Sequence, residues 1–145
     1  MSKSTQCIVA AALLGVAAAA SAQDCPNGAS RLNRNQIGNQ IIGKTMCAAS
    51  GNDRWQEFHQ GASSDSTGAL IDYKKGPNDK LDPSQTVGSW SYAGAGNNTL
   101  LVHNYGASAT YSWAVCGSNG GPYTLVSSGG VTVTNVTVKA GQTGC

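Results

Sequence analysis

The sequence predicts an all-β fold, an antiparallel up-and-down barrel of about eight strands with a short N-terminal helix. Three observations lead there. From Gly43 onward, short apolar or β-branched runs recur at roughly the 8–12-residue interval that marks an all-β domain. The stretches between them are dense in Gly, Ser, Asn, Asp and Pro, the residues that reverse a chain. Most are too short to carry a parallel crossover, so sequential strands must run antiparallel. Eight such strands can close around side chains or one small ligand, whereas an open sheet would leave edges to be explained. A two-sheet β-sandwich shares this strand spacing and is the alternative.

The chain first presents a leader. Lys3 is followed by an apolar, alanine-rich run from Cys7 to Ala20 and then by Ala20-Ser21-Ala22, with small residues where a signal peptidase cuts. The run is shorter than the roughly 20 apolar residues of a membrane-spanning helix. Residues 1–22 are therefore read as a signal peptide and 23–145 as a single domain, large enough to bury a real core. The expected destination is the periplasm or the outside of the cell, with no membrane insertion. The alanine-rich leader reads as bacterial, so the sequons at Asn97 and Asn135 carry little weight.

Leaving with the leader, Cys7 reduces five cysteines to Cys25, Cys47, Cys116 and Cys145. An even number in an exported chain predicts two disulfides, whose connectivity the sequence leaves open. Their wide spacing, with no Cys-x-x-Cys pair, argues against a zinc site. Cys25 and Cys145 lie so close to the ends of the domain that the bridges should tie both ends down.

Next, Leu32, Ile37 and Ile41 fall at helical spacing, with Ser30 as a candidate N-cap. The predicted strands are 44–49, 54–59, 69–74, 87–92, 99–105, 110–116, 123–127 and 131–139. In the sixth, Tyr111, Trp113 and Val115 share one face, as an alternating strand requires. In the last, Val131 and Val133 take one parity while Val136 and Val138 take the other. That switch predicts a β-bulge near Asn135, which would bend the strand and help a barrel close.

Function is less legible. Only 11% of residues are charged, and removing Lys3 leaves eight basic against seven acidic side chains with no basic cluster. Nucleic acid and anionic membranes are poor partners for such a surface. The stretch GNQIIGKT, Gly38 to Thr45, satisfies the phosphate-loop pattern. A phosphate loop runs from strand to turn to helix, however, and here a helix precedes and a strand follows. Ile41 and Ile42 also resist the left-handed turns that such a loop needs, so no nucleotide is expected. Asp79 and Asp82 share their loop with Lys74, Lys75 and Lys80, cations that compete with calcium.

Trp55, Glu57 and His59 alternate on one strand face, and any acid/base pair or metal site would involve Glu57 and His59. The simpler reading is a hydrogen-bonded polar face, since only one other histidine exists and it lies on a different strand. No nucleophile motif of a hydrolase is present. Trp55, Trp90 and Trp113, with five tyrosines, serve either as the core of a chain that has one Phe or as the lining of a ligand cavity.

The eight runs, together with Gly88-Ser89-Trp90, resemble the lipocalin-like (calycin) barrels, which carry a Gly-x-Trp signature and bind small apolar molecules. Lipocalins place the signature on the first strand, whereas here it falls on the fourth. The order G-K-T-x-C, W-Q-E-x-H, Y-K-x-G, V-G-x-W, from Gly43 to about Val115, also resembles small exported bacterial proteins of unknown function with such a fold. The resemblance implies a fold and a location and carries no catalytic residue or cofactor. The expected activity is non-enzymatic binding of a small hydrophobic ligand or a partner protein, with Trp55, Glu57, His59, Trp90 and Trp113 as candidate ligand-binding residues and no metal. The alternatives are an interaction or inhibitor-like module that works through its loops, and an enzyme with an unrecognised site.

Overall fold

A computed structural model describes residues 23–50, 53–72 and 84–145. The predicted leader, the end of the third predicted strand at Tyr73 and Lys74, and the predicted loop with Asp79 and Asp82 lie outside the described residues. After a single 3₁₀ turn, Pro26–Gly28, come helix α1 (Arg34–Gln40) and eight strands: β1 (Lys44–Ser50), β2 (Asp53–His59), β3 (Thr67–Asp72), β4 (Gln85–Ala93), β5 (Leu100–Asn104), β6 (Thr110–Cys116), β7 (Tyr123–Ser127) and β8 (Thr132–Ala140). Each strand pairs antiparallel with the next. β8 returns to β1, Lys44 opposite Ala140 through Cys47 opposite Thr137, and so closes the barrel. Closure removes every sheet edge and excludes the sandwich.

Two bulges shape the wall. Between β7 and β8 the register steps from Tyr123–Val136 to Leu125–Val133, one extra residue on β8. Asn135 takes a left-handed φ of 57° there, and both Val133 and Val136 reach the interior despite opposite parity. This is the predicted bulge. The second was not foreseen: Leu70 pairs with Gly88 but Ile71 with Thr86, leaving Val87 as the extra residue.

Helix α1 closes one end. Its cap is Asn33 rather than Ser30: the Asn33 side chain accepts from the Gln36 N–H while the Gln36 side chain accepts from the Asn33 N–H. Ser30 lies too far upstream, where its carbonyl accepts from the Gly117 N–H. The segment reaches all three loops at this end. Gly38 packs so closely on Ser63 that a Cβ would overlap the Ser63 carbonyl, Arg31 donates to the Asn98 and Thr99 carbonyls, and the Gln40 side chain accepts from Gly120. Leu32, Ile37 and Ile41 are fully buried beneath it. The phosphate-loop letters are thus divided between elements. Gly38 is a helix–loop contact, Gly43 is a left-handed turn at φ 75°, and Lys44 opens β1 with its ammonium on the Asn39 carbonyl.

Two disulfides fasten the ends, Cys25–Cys116 and Cys47–Cys145. The first holds the lead-in against β6, where Arg31 bridges to Cys116 and the Leu32 N–H donates to the Val115 carbonyl. Ala114 and Cys116 are therefore buried although they take the outward parity. The second holds the tail against β1, where Thr45 donates to the Gly141 carbonyl and accepts from the Thr143 N–H. Among the described residues no helix is long and apolar enough to cross a membrane.

Candidate functional site

Inward side chains divide into two layers. Toward α1, Leu70, Trp90, Leu101, Val115, Tyr123 and Val136 form a packed plug. Toward the opposite end the barrel is hollow, with a cavity of about 490 Å³. That volume lies in the range of small-molecule sites. Its apolar wall comprises Met46, Ala48, Val87, Leu125 and Val133, with Val131 at the rim. Trp55, Tyr105, Tyr111 and Trp113 add aromatic faces, of which Tyr111 and Trp113 stack at 5.3 Å and Tyr105 meets Tyr111 edge-on. Glu57, Asp72, His103 and Ser108 complete the lining.

Strand alternation accounts for these positions. On β2, Trp55, Glu57 and His59 step down from the mouth to the floor; on β5 and just beyond, Tyr105, His103 and Leu101 do the same. Inside a closed barrel β2 faces β5, and the two columns meet. Tyr105 donates to Glu57 Oε1 at 2.6 Å, and His103 Nδ1 lies 3.5 Å from Glu57 Oε2 and 3.4 Å from the Tyr105 hydroxyl. His103 Nε2 meets His59 Nε2 at 2.9 Å. At least one of these two nitrogens must be unprotonated, because the contact needs an acceptor.

Burial sets the charge states. It pushes the Glu57 carboxyl up to about 7; the Tyr105 hydrogen bond opposes this and the Asp72 charge adds to it. Burial holds His59 down to about 4, against the pull of the Glu57 and Lys44 backbone, although His59 Nδ1 forms no well-aligned hydrogen bond. His103 is lowered by burial and then by His59, and Tyr105 is raised by burial and then by Glu57. Both imidazoles are neutral at pH 7, so His103 and Glu57 do not form an ion pair. The site can hold one acidic proton, exchangeable near neutral pH, at the base of an aromatic cup.

Of the five candidate residues, Trp55, Glu57 and Trp113 line the cavity. His59 lies beneath it, fully buried behind His103, and Trp90 belongs to the plug, where its indole N–H donates to the Gln60 carbonyl. The sequence reading did not single out Asp72 or His103, and it took Tyr105 and Tyr111 only as two of the five tyrosines that could fill the core or line a cavity. It set His59 and His103 apart because they occupy different strands, whereas the barrel places them in contact. Extending the alternation of β5 from Leu101 through His103 to Tyr105 was the available signal. Among the described residues no group of three His, Cys, Asp or Glu side chains gathers to hold a metal.

No protein-family model matches the chain, and no curated protein and no solved structure matches it.

Proposed function

We propose that this protein is an exported, disulfide-fastened barrel that carries a small, largely apolar molecule without transforming it. The carrying observation is the cavity of about 490 Å³, open at one end and walled by aromatic and aliphatic side chains. A barrel meant only as a rigid support for binding loops would gain stability by filling that space with side chains. The leader and two disulfides support action in the periplasm or outside the cell. Non-enzymatic binding is favoured over catalysis because the Glu57 carboxyl meets a tyrosine and a neutral histidine rather than a nucleophile it could activate.

Titration with a neutral, environment-sensitive dye such as N-phenyl-1-naphthylamine tests the reading. Saturable one-to-one binding in the micromolar range is expected, abolished by Val133→Trp in a variant that still folds. Absence of saturable binding across several neutral apolar probes would overturn it.

A further inference from the structure

The two oxygens of the Glu57 carboxyl are not equivalent. Glu57 is 7% exposed and lines the cavity. The Tyr105 hydroxyl donates to Oε1 at 2.6 Å, so Oε1 is the accepting oxygen and the acid proton, when the group holds one, sits on Oε2. His103 Nδ1 lies 3.5 Å from Oε2, longer than the roughly 2.7–3.2 Å of a good hydrogen bond. Among the described residues Oε2 therefore has no hydrogen-bond partner. The titratable groups facing this carboxyl are Tyr105 and His103 on β5 and just beyond it, Asp72 on β3 and His59 on its own strand, while β1 places Met46 opposite. Asp72 also has interactions of its own.

Resting on the ligand-carrying reading, we propose that the cavity takes a flat aromatic carbonyl compound, an aryl ketone or aldehyde, whose oxygen accepts a hydrogen bond from Glu57 Oε2 while its ring lies among Trp55, Tyr111 and Trp113. A ligand that fills the cavity displaces water from Oε2 and must replace its hydrogen bond, since an acid proton buried without an acceptor is costly. A hydrocarbon leaves that proton unmet. An alcohol accepts it but brings a donor of its own into a mostly apolar wall. A carbonyl accepts and donates nothing, and conjugation keeps it in the plane of a ring that the aromatic faces can pack against.

Binding is then linked to a proton. In the empty protein the Glu57 carboxyl titrates at about 7, raised mainly by burial. The carbonyl oxygen is attracted by the acid and repelled by the carboxylate, so the bound ketone holds the proton on Oε2 more tightly still. At pH 8 binding takes up more than half a proton from solvent, and at pH 5 it takes up almost none.

Three neutral ligands of one skeleton test this: 2-acetylnaphthalene, 1-(2-naphthyl)ethanol and 2-ethylnaphthalene, each displacing N-phenyl-1-naphthylamine from the oxidised protein. A cavity that reads only apolarity prefers the hydrocarbon. Here, at pH 6, the ketone is expected to bind at least about fivefold more tightly than the hydrocarbon, the scale of one net hydrogen bond, with the alcohol between them. By pH 9 that preference should vanish or reverse. Calorimetry of the ketone at pH 8, in two buffers of different ionisation enthalpy, should show the proton uptake. Glu57→Gln puts an amide donor where Oε2 stood, and should keep the ketone preference at both pH values; Glu57→Leu should abolish it at both. Equal or tighter binding of the hydrocarbon at pH 6, proton-silent ketone binding at pH 8, a pH-dependent preference in Glu57→Gln, or a preference that survives Glu57→Leu overturns the carbonyl inference while the carrier reading stands. If the dye binds and none of the three displaces it, the carbonyl inference again fails alone. If the dye fails to bind as well, both fall.

Discussion

Glu57 shows how one side chain can cost stability in the service of a site. Its carboxyl sits at about 7 in the folded barrel against 4.5 when free. The native state therefore holds the proton more tightly than the unfolded chain. The resulting stability is fully present below pH 4.5 and is lost as pH rises through about 7. His59 works in the opposite direction: with its folded value at about 4 against 6.5, it contributes stability above pH 6.5 that is lost as pH falls through 4. Replacing Glu57 with Gln keeps an oxygen that can accept from Tyr105 and removes the titration. Relative to the unmodified, empty protein, the variant should gain roughly 1–3 kcal/mol between pH 5 and pH 8, the scale set by the rise of the carboxyl from 4.5 to about 7. Urea denaturation of both proteins at the two pH values measures this. A difference that stays constant with pH would show that Glu57 is not held protonated by the fold.

At the scale of elements, β8 depends on Asn135. The left-handed φ of 57° lets the strand carry one extra residue, so that Val133 and Val136 both face inward. Asn tolerates that conformation and a β-branched residue does not. Because Asn135 is exposed, its substitution tests backbone geometry alone. Asn135→Val should cost about 1–2 kcal/mol in chemical denaturation and Asn135→Gly close to nothing; equal effects would mean that the bulge does not depend on a left-handed residue. This bulge was legible because two valine pairs of opposite parity on one strand cannot share a face unless an extra residue separates them. The Val87 bulge left no such mark: Gly88 has no side chain to register on either face, so the parity of β4 could not be read across it. The cap of α1 was misplaced by three residues because Ser30 is as good a capper as Asn33. Only the reciprocal Gln36 decides between them, and glutamine at that position is a weaker cue than an apolar periodicity. Strand existence was local information, and the contact between His59 and His103 was not. It requires knowing that the sheet closes and which strands then face one another.

The molecule as a whole is a barrel filled at one end and hollow at the other, and its two disulfides are placed to match. Cys25–Cys116 anchors the lead-in and α1 that cover the filled end, while Cys47–Cys145 anchors the tail along β1 beside the seam where β1 meets β8. The bridged residues are 91 and 98 apart in sequence, so each bridge restricts the unfolded chain by a similar amount, on the order of 4–5 kcal/mol in the chain-entropy account. A barrel that leaves a cavity open forgoes the burial that would otherwise fill it, and cross-links of this size offset the loss without occupying the space. Paired replacement of either bridge by serine should therefore lower stability by about 2–5 kcal/mol and raise the denaturant m-value, because the released unfolded chain exposes more surface. The two variants should differ in where they loosen. Without Cys25–Cys116, hydrogen exchange should quicken at the amides of α1 while β1 and β8 stay protected; without Cys47–Cys145, the tail and the β1–β8 ladder should quicken while α1 stays protected. If both variants loosen the same region, the bridges do not act as separate end fastenings, and the stability of the hollow half must come from the barrel wall itself.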